Sequence, residues 1–516
     1  MFLKVENLTH TFDKKLLYQN ASFTVNRGEK IGIVGSNGTG KTTLIKILNG
    51  DLIPDSGDIT FEKSIKVGFL DQYLRIDKNL TIQEYLDGAF KELNEVSLKL
   101  EKLQEEIAVE TDPQILEQKL EQMENLQERL YFDNYYQKES NILRVAVGLG
   151  VSQYGMDTSI SKLSGGQKIK VILTKLLLEN PNFLILDEPT NFLDTIHVDW
   201  LVKYLKDYKG TVLMVSHNQE FLNDVCNYII DIDYKTITKY KGNYEQYLIK
   251  KEFNLVQHEK QVEKNIRERK ALQDYIDKNK VRASTAKQAQ SRQKKLDKME
   301  DIKELKSDHR KLFLTFNYRP ISSTFFLRVN DLEIGYYSPL LPPISFSIKS
   351  GEKLAITGFN GIGKTTLLKT LIGELRPMGG SFKFVEDALI SYFPQEETFE
   401  KGKSAIKIIS DIYPEMDEKT IRSNLAKVAL KQDQTMQDVS TLSGGELSKL
   451  KLALVMLKKA NVLILDEPTN HLDSDAKESL LEALKKYPGT VIFVCHEKAF
   501  IEKLATKVYN IEDLLL

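Results

Sequence analysis

The stretch Gly35-Ser36-Asn37-Gly38-Thr39-Gly40-Lys41-Thr42 occurs twice, the second time as Gly358-Phe359-Asn360-Gly361-Ile362-Gly363-Lys364-Thr365. Both copies fit the phosphate-loop pattern G-x-x-x-x-G-K-[ST], so the fold must supply one strand–loop–helix unit two times over. Glycines let the backbone turn until successive N–H groups point inward at phosphate oxygens. Lys41 or Lys364 adds a charge at the β- and γ-phosphates, and Thr42 or Thr365 a hydroxyl for Mg²⁺. Thr43 and Thr366 follow as the next candidates for phosphate contact. The run Lys30-Ile-Gly-Ile-Val-Gly35 before the first loop reads as a strand, and Thr43-Leu-Ile-Lys-Ile-Leu after it as a helix.

Spacing shows that the whole unit is duplicated. Lys41 and Lys364 are 323 residues apart, as are Gln72 and Gln395. Ser164 to Ser443, Asp187 to Asp466, and His217 to His496 are each 279. The halves therefore hold register twice, and 44 extra residues of the first lie between Gln72 and Ser164. That insertion, about 83–136, carries Leu93, Val96, Leu100, Leu103 and Ile107 at helical spacing. It breaks at Glu110-Thr-Asp-Pro113 and resumes through Leu116, Leu120, Met123, Leu126 and Leu130. The pattern predicts a helical hairpin with legs of roughly 20 residues, about 30 Å long.

Three further motifs recur in both halves. Phe183-Leu-Ile-Leu-Asp187-Glu188 and Val462-Leu-Ile-Leu-Asp466-Glu467 are apolar strands ending in two acids. Asp187 and Asp466 can hold Mg²⁺ through water, while Glu188 and Glu467 can orient and deprotonate an attacking water. Leu163-Ser164-Gly165-Gly166-Gln167 and Leu442-Ser443-Gly444-Gly445-Glu446 precede helices, where N–H groups and the dipole favour an anion. Alone, each would read as a helix cap; duplicated between a phosphate loop and an acidic strand end, the anion reading wins. Gln72 and Gln395 can reach Mg²⁺ or the water. His217 and His496, each 30 residues past the aspartate, can contact the γ-phosphate. Phe12 and Tyr336 suit stacking on adenine or burial in a core.

Between the first repeat, ending near Ile237, and the second, starting near Phe325, lie about 80 mostly charged residues. They predict two helices, roughly 246–278 and 290–310, joined by a polar tip. At the tip Lys278, Lys280, Arg282, Lys287, Arg292, Lys294 and Lys295 are interrupted by no acid. Such a charge run is usually a solvated face; one sign of charge among small residues favours RNA phosphates here. The net charge of −1 means that nucleic-acid binding must come from such a local patch. No apolar run has membrane-helix length, and no signal-peptide core precedes the first strand. Cys226 and Cys495 have no C-x-x-C neighbour, which argues against zinc ribbons, iron–sulfur clusters and disulfides. The expectation is a cytoplasmic protein without a membrane partner.

This set of motifs resembles the ATP-binding cassette superfamily: Walker A, Q-loop, signature, Walker B, D-loop and switch histidine stand in order in both halves. Tandem cassettes with a helical linker, Tyr240-Lys-Gly-Asn-Tyr244 and Ala286-Lys-Gln-Ala-Gln-Ser-Arg292 look like the ABC-F family of ribosome-associated ATPases, most similar to its YbiT/YkpA branch. The resemblance implies an α/β chain of two tandem P-loop domains, 1–240 with the arm inserted and 325–516. A helical-hairpin linker, 241–324, would join them. It implies a monomer folded as an internal pseudo-dimer, each ATP lying between one half's phosphate loop and the other's signature. Two hydrolysing sites with ATP and Mg²⁺ follow. The implied partner is the ribosome near the tRNA exit site, with the tip toward rRNA and peptidyl-tRNA. The arm is acidic, so a basic ribosomal protein suits it better than RNA. Antibiotic resistance, stall rescue and housekeeping translation control all remain open roles. The alternatives are the motor of a transporter with separate membrane chains, which has no use for a basic helical spike, and a DNA-repair ATPase, which usually carries zinc hooks or much longer coils, against which the two isolated cysteines argue. Departures are Phe192 where the second half has His471, Asn218-Gln219 after the first switch histidine, and Glu446 ending the second signature. The C-terminal coiled coil of some relatives is not expected.

Overall fold

The computed structural model describes every residue except 13–14, 64, 71–78, 134, 192, 280–285, 300–311, 396–398 and 516. In the first half, β1 (Leu3–Phe12), β2 (Lys15–Val25) and β4 (Ser56–Phe61) form an antiparallel sheet. The strands β3 (Lys30–Val34), β5 (Val67–Leu70), β6 (Phe183–Asp187), β7 (Thr211–Val215), β8 (Tyr228–Asp233) and β9 (Thr236–Lys241) form a second sheet, in the order β5-β6-β7-β3-β8-β9. All its pairings are parallel except that of β9 with β8. The second half repeats the plan. An antiparallel sheet holds β10 (Phe325–Glu333), β11 (Ile344–Lys349) and β13 (Gly379–Phe384). A parallel one holds β12 (Lys353–Thr357), β14 (Ile390–Phe393), β15 (Val462–Asp466), β16 (Thr490–Val494) and β17 (Lys507–Asn510), in the order β14-β15-β16-β12-β17.

The central strands read as unbroken apolar runs because both faces are covered. Every residue of β6, β7, β15 and β16 is buried. Phe183 and Ile185 face a core shared with β1, β2 and the helix Lys41–Asn49. Leu184 and Leu186 face the helices Gly165–Glu179 and Thr195–Asp207. Each such side chain contributes about 1.5–3 kcal/mol on burial. The adjacency β6-β7-β3 has a functional result. It brings the acidic pair, the switch histidine and the phosphate loop to neighbouring carboxyl ends of one sheet, where open α/β sheets bind ligands.

The arm is the helix pair Lys91–Val109 and Pro113–Phe132. Asp112 caps the second helix by accepting the N–H groups of Gln114 and Ile115, with Pro113 preset at the first helical position. Val96, Leu100 and Leu130 make its small core, and Lys119 bridges Glu106 and Glu110 at 3.3 and 3.0 Å. After β9 the chain enters the helix Tyr244–Asn279, followed by Ala286–Lys298. The second of these starts earlier than the expected 290, and residues 300–311 lie outside the described part. The Tyr275 hydroxyl donates to Gln288 at 2.9 Å and the Arg292 guanidinium lies 3.5 Å from the Tyr275 ring centre, so the two helices touch near the tip. At the root, Lys251 sits between Asp231 and Asp233, 2.8 Å from each.

Candidate nucleotide site

Each phosphate loop closes on itself. The Lys41 ammonium donates to the carbonyls of Gly35 and Ser36 at 2.7 and 3.1 Å. Lys364 does the same to Gly358 and Phe359 at 2.7 and 2.9 Å. Gly40 must be glycine: its φ is +100°, and a Cβ would come within 2.8 Å of the Tyr18 hydroxyl, which donates to the Gly40 carbonyl. Both lysines are buried, and burial pulls their pKa values down against the nearby carboxylates.

After each acidic strand the chain turns at the glutamate. Glu188 and Glu467 are left-handed, at φ +50° and +51°. That conformation costs of order 1–3 kcal/mol outside glycine and marks a functional turn. Their N–H groups donate to Val215 and Val494 of the neighbouring strand, at 2.9 and 3.0 Å. The His217 backbone N–H donates to Glu188 at 3.2 Å, and the His217 ring stands 3.6 Å from the same carboxylate. In the second half the His496 ring is closer to Glu467, at 3.1 Å, and the Asn470 amide donates to it as well. The two bases differ in consequence. Burial, helped by Asp187, raises the Glu188 carboxyl to about 7 against Lys41, His217 and Lys477. Burial also raises Glu467, but His496, Asn470 and Lys364 outweigh it and hold it below its ordinary value. Burial, with the Lys41, Lys477 and His471 charges, keeps the His217 ring well below the usual histidine range.

The two halves meet at the first loop. Asn37 donates its backbone N–H to Asp473 at 3.3 Å and its side-chain amide to the His471 carbonyl at 2.9 Å. A Cβ on Gly445 would lie 2.4 Å from the Asn37 amide and 2.8 Å from the His471 carbonyl, so only glycine fits there. Asp473 is among the charges acting on Lys41, and Asp194, its counterpart 279 residues earlier, among those acting on Lys364. The signature serines cap their helices. Ser164 accepts the Gln167 N–H and Ser443 the Glu446 N–H, while Gln167 and Glu446 accept the serine N–H groups in return. Glu446 thus serves a capping box as glutamine does, and each hydroxyl keeps its proton for an anion. Gly165, Gly166 and Gly444 form the same first turns.

Both carboxylate oxygens of Asp466 are buried without a hydrogen bond of ordinary geometry, though the Thr365 hydroxyl lies near enough to lower its pKa. Burial wins and raises Asp466 to about 6. Orphaned carboxylate oxygens beside a threonine hydroxyl fit a hard, oxygen-seeking divalent cation. Asp187 and Thr42 occupy the same places in the first half. Gln395 is exposed past β14, its carbonyl accepting from Lys451 at 3.0 Å; Gln72 lies outside the described residues. Phe12 and Tyr336 stand 58% and 59% exposed, which leaves their rings open for stacking. Thr43 is half-buried and Thr366 buried at their helix starts, and Ser36, Thr39, Asn360, Gly361 and Ile362 line the loops. At the tip Lys278, Arg292, Lys294 and Lys295 are exposed; Lys280 and Arg282 lie outside the described residues, as does Phe192. Lys287 lies in the helix Ala286–Lys298. The motif reading missed Asn37 as a cross-half contact, and Lys477 altogether.

The ABC transporter family profile matches residues 18–191 and 341–470, and a second profile of that description matches 230–314. The uncharacterized ABC transporter ATP-binding protein YfmM of Bacillus subtilis is 39% identical, over 99% of this chain and 98% of its own. The probable ATP-binding protein YbiT of Escherichia coli O157:H7 is 34% identical, over 98% and 95%. ABC transporter F family member 5 of Arabidopsis thaliana is 33% identical, over 99% and 76%. Among solved structures, that of the archaeal ribosome recycling factor aABCE1 with the stalk protein aP1 superposes with a TM-score of 0.61. It covers 98% of this chain and 87% of that one at 19% identity, a likeness of fold.

Proposed function

Because the chain belongs to the ABC-F family of ATP-binding cassette proteins, we propose that it couples ATP hydrolysis to translation, with the linker tip against ribosomal RNA. The chain is an ATPase of two tandem cassettes. Glu188 and Glu467 take the proton of the attacking water at their own sites, and the phosphate loops hold the leaving diphosphate. His217 and His496 keep each glutamate oriented. Thr42, Asp187, Thr365, Asp466, Gln72 and Gln395 are the residues that would hold Mg²⁺, which would supply positive charge to neutralise the phosphates. The observation that carries the reading of composite sites is the Asn37 contact with His471, Asp473 and Gly445.

The ribosome reading is supported by the family and by the exposed cations at the end of a 36-residue helix. In this reading the domains are 1–240, 241–324 and 325–516, the chain works as a cytoplasmic monomer, and the arm meets a ribosomal protein. No helix among the described residues is long and apolar enough to cross a membrane. The test is a trap. The variant E188Q/E467Q should bind ATP without hydrolysing it and co-sediment with ribosomes; free migration with ATP present refutes the ribosome reading and returns the transporter motor. Alanine at Lys287, Arg292, Lys294 and Lys295 should weaken ribosome-stimulated ATPase far more than basal ATPase.

A further inference from the structure

A duplicated chain exposes the positions where its halves differ, and one of these touches an ATP site. Lys477 lies in the helix Ser474–Lys486 of the second cassette, one turn past Asp473. Its ammonium donates to the backbone carbonyl of His217, in the first cassette, at 3.2 Å. The same ammonium pairs with Glu497, the residue after His496, at 2.8 Å. One cation thus ties the histidine loops of the two sites together. The lysine side chain is 11% exposed, and Glu497 is the more open partner of the pair. Beside it the Gln219 amide donates to Ser474 at 2.9 Å, a second bond between the cassettes on this face.

Among the described residues the first half has no counterpart of this lysine; across the repeat-related contact only an exposed pair, Lys498 with Asp199 at 3.9 Å, joins the cassettes. The 279-residue repeat puts Val198 opposite Lys477 and Asn218 opposite Glu497. Val198 packs on the core. Asn218 caps the helix Gln219–Val225, accepting the Phe221 N–H at 3.0 Å. Glu497 holds the same capping position before Lys498–Leu504 but makes no side-chain cap bond; its carboxylate goes to Lys477 instead. The second half therefore forgoes a cap that its twin keeps, and the freed acid fixes a lysine that reaches across to the other site.

We propose that Lys477 is a positioning residue for hydrolysis at the first site. Held by Glu497, it fixes the His217 carbonyl when the cassettes meet. The N–H of the same residue donates to Glu188, so both sides of residue 217 are tied and the general base is aimed. The inference rests on Glu188 and Glu467 being the two bases.

The test measures kcat and KM for ATP of the full chain, with K477M and K477R each placed in E467Q and in E188Q. In E467Q, where Glu188 alone works, K477M should lower kcat about tenfold and leave KM for ATP within about twofold. K477R should restore most of the rate. In E188Q the loss should be under about threefold. Equal losses in both backgrounds, a rise in KM that accounts for the loss, or failure of K477R to rescue each overturns the role of Lys477 alone. Residual hydrolysis in E188Q/E467Q overturns the base assignment and the inference with it.

Discussion

Replacing Glu188 with glutamine should stabilise the protein, and the gain should depend on pH. Burial lifts the Glu188 carboxyl from an ordinary 4.5 to about 7. A shift of that size corresponds to about 3 kcal/mol between the protonation states. Below about pH 4.5 the group is protonated folded and unfolded, and the shift costs nothing. Above about pH 7 it is ionised in both states, and the folded form bears the full cost. The amide in E188Q keeps an oxygen for the His217 N–H and cannot ionise. Chemical denaturation of nucleotide-free protein should therefore show E188Q ahead of the parent by about 2–3 kcal/mol at pH 8 and level with it near pH 4.5. Glu467 supplies the control, since its carboxyl is held below the ordinary value. Its stabilisation is present above about pH 4.5 and fades as the solution is acidified, so E467Q should be less stable than the parent at pH 8. E188Q weaker than the parent at pH 8, or a gain of equal size at both pH values, would refute the reasoning.

Other consequences follow from single contacts. Valine at Gly445 drives a side chain into the Asn37 amide and the His471 carbonyl, so in E467Q it should cut ATPase at least about tenfold while circular dichroism stays unchanged. Lys251→Met strands the buried Asp231 and its neighbour Asp233; denaturation should show a loss of about 2–4 kcal/mol, and D231N/K251M should lose less than K251M.

Much of this arrangement was legible in the residues because the signals were local and repeated. An apolar run that ends in Asp-Glu can only be a central strand with its carboxyl end in use, and β6 and β15 are such strands. The break at Glu110-Thr-Asp-Pro113 marks the arm's turn, and the structure adds Asp112 as the cap of its second helix. The start of the linker's second helix, at Ala286 rather than near 290, is hard to read because 280–319 carries no Gly or Pro to punctuate it. Asn37 was grouped with the loop glycines, although its partners His471 and Asp473 come from the other half; no periodicity within one half encodes that contact. Lys477 failed for a further reason. Matching the halves rewards positions that agree, and Lys477 stands opposite Val198.

The same asymmetry bears on how a linker can respond to nucleotide. In the first half β8 lies beside β3, which carries the phosphate loop, and on its other side β9 leads straight into the linker helix. Asp231 and Asp233 of β8 grip Lys251 two turns up that helix. A cleft of about 540 Å³ runs from Ser36 and Lys41 past His217 and Asp473 to Asp231 and Lys251 at this root. In the second half β17, the counterpart of β8, is the outermost strand of its sheet among the described residues. The helix Tyr244–Asn279 is thus fastened to the first sheet by an ion pair beside the site that Lys477 reaches in trans, while residues 312–319 join the second cassette, where Phe313 donates to the Lys427 carbonyl and Arg319 to that of Ala460. A displacement of the first phosphate loop meets the root of that helix through one strand, whereas the second cassette holds the linker at residues 312–319. Two cassettes copied from one plan therefore present unequal levers to the same helix, and the inequality lies in β9, Lys251 and Lys477 rather than in the motifs that bind phosphate.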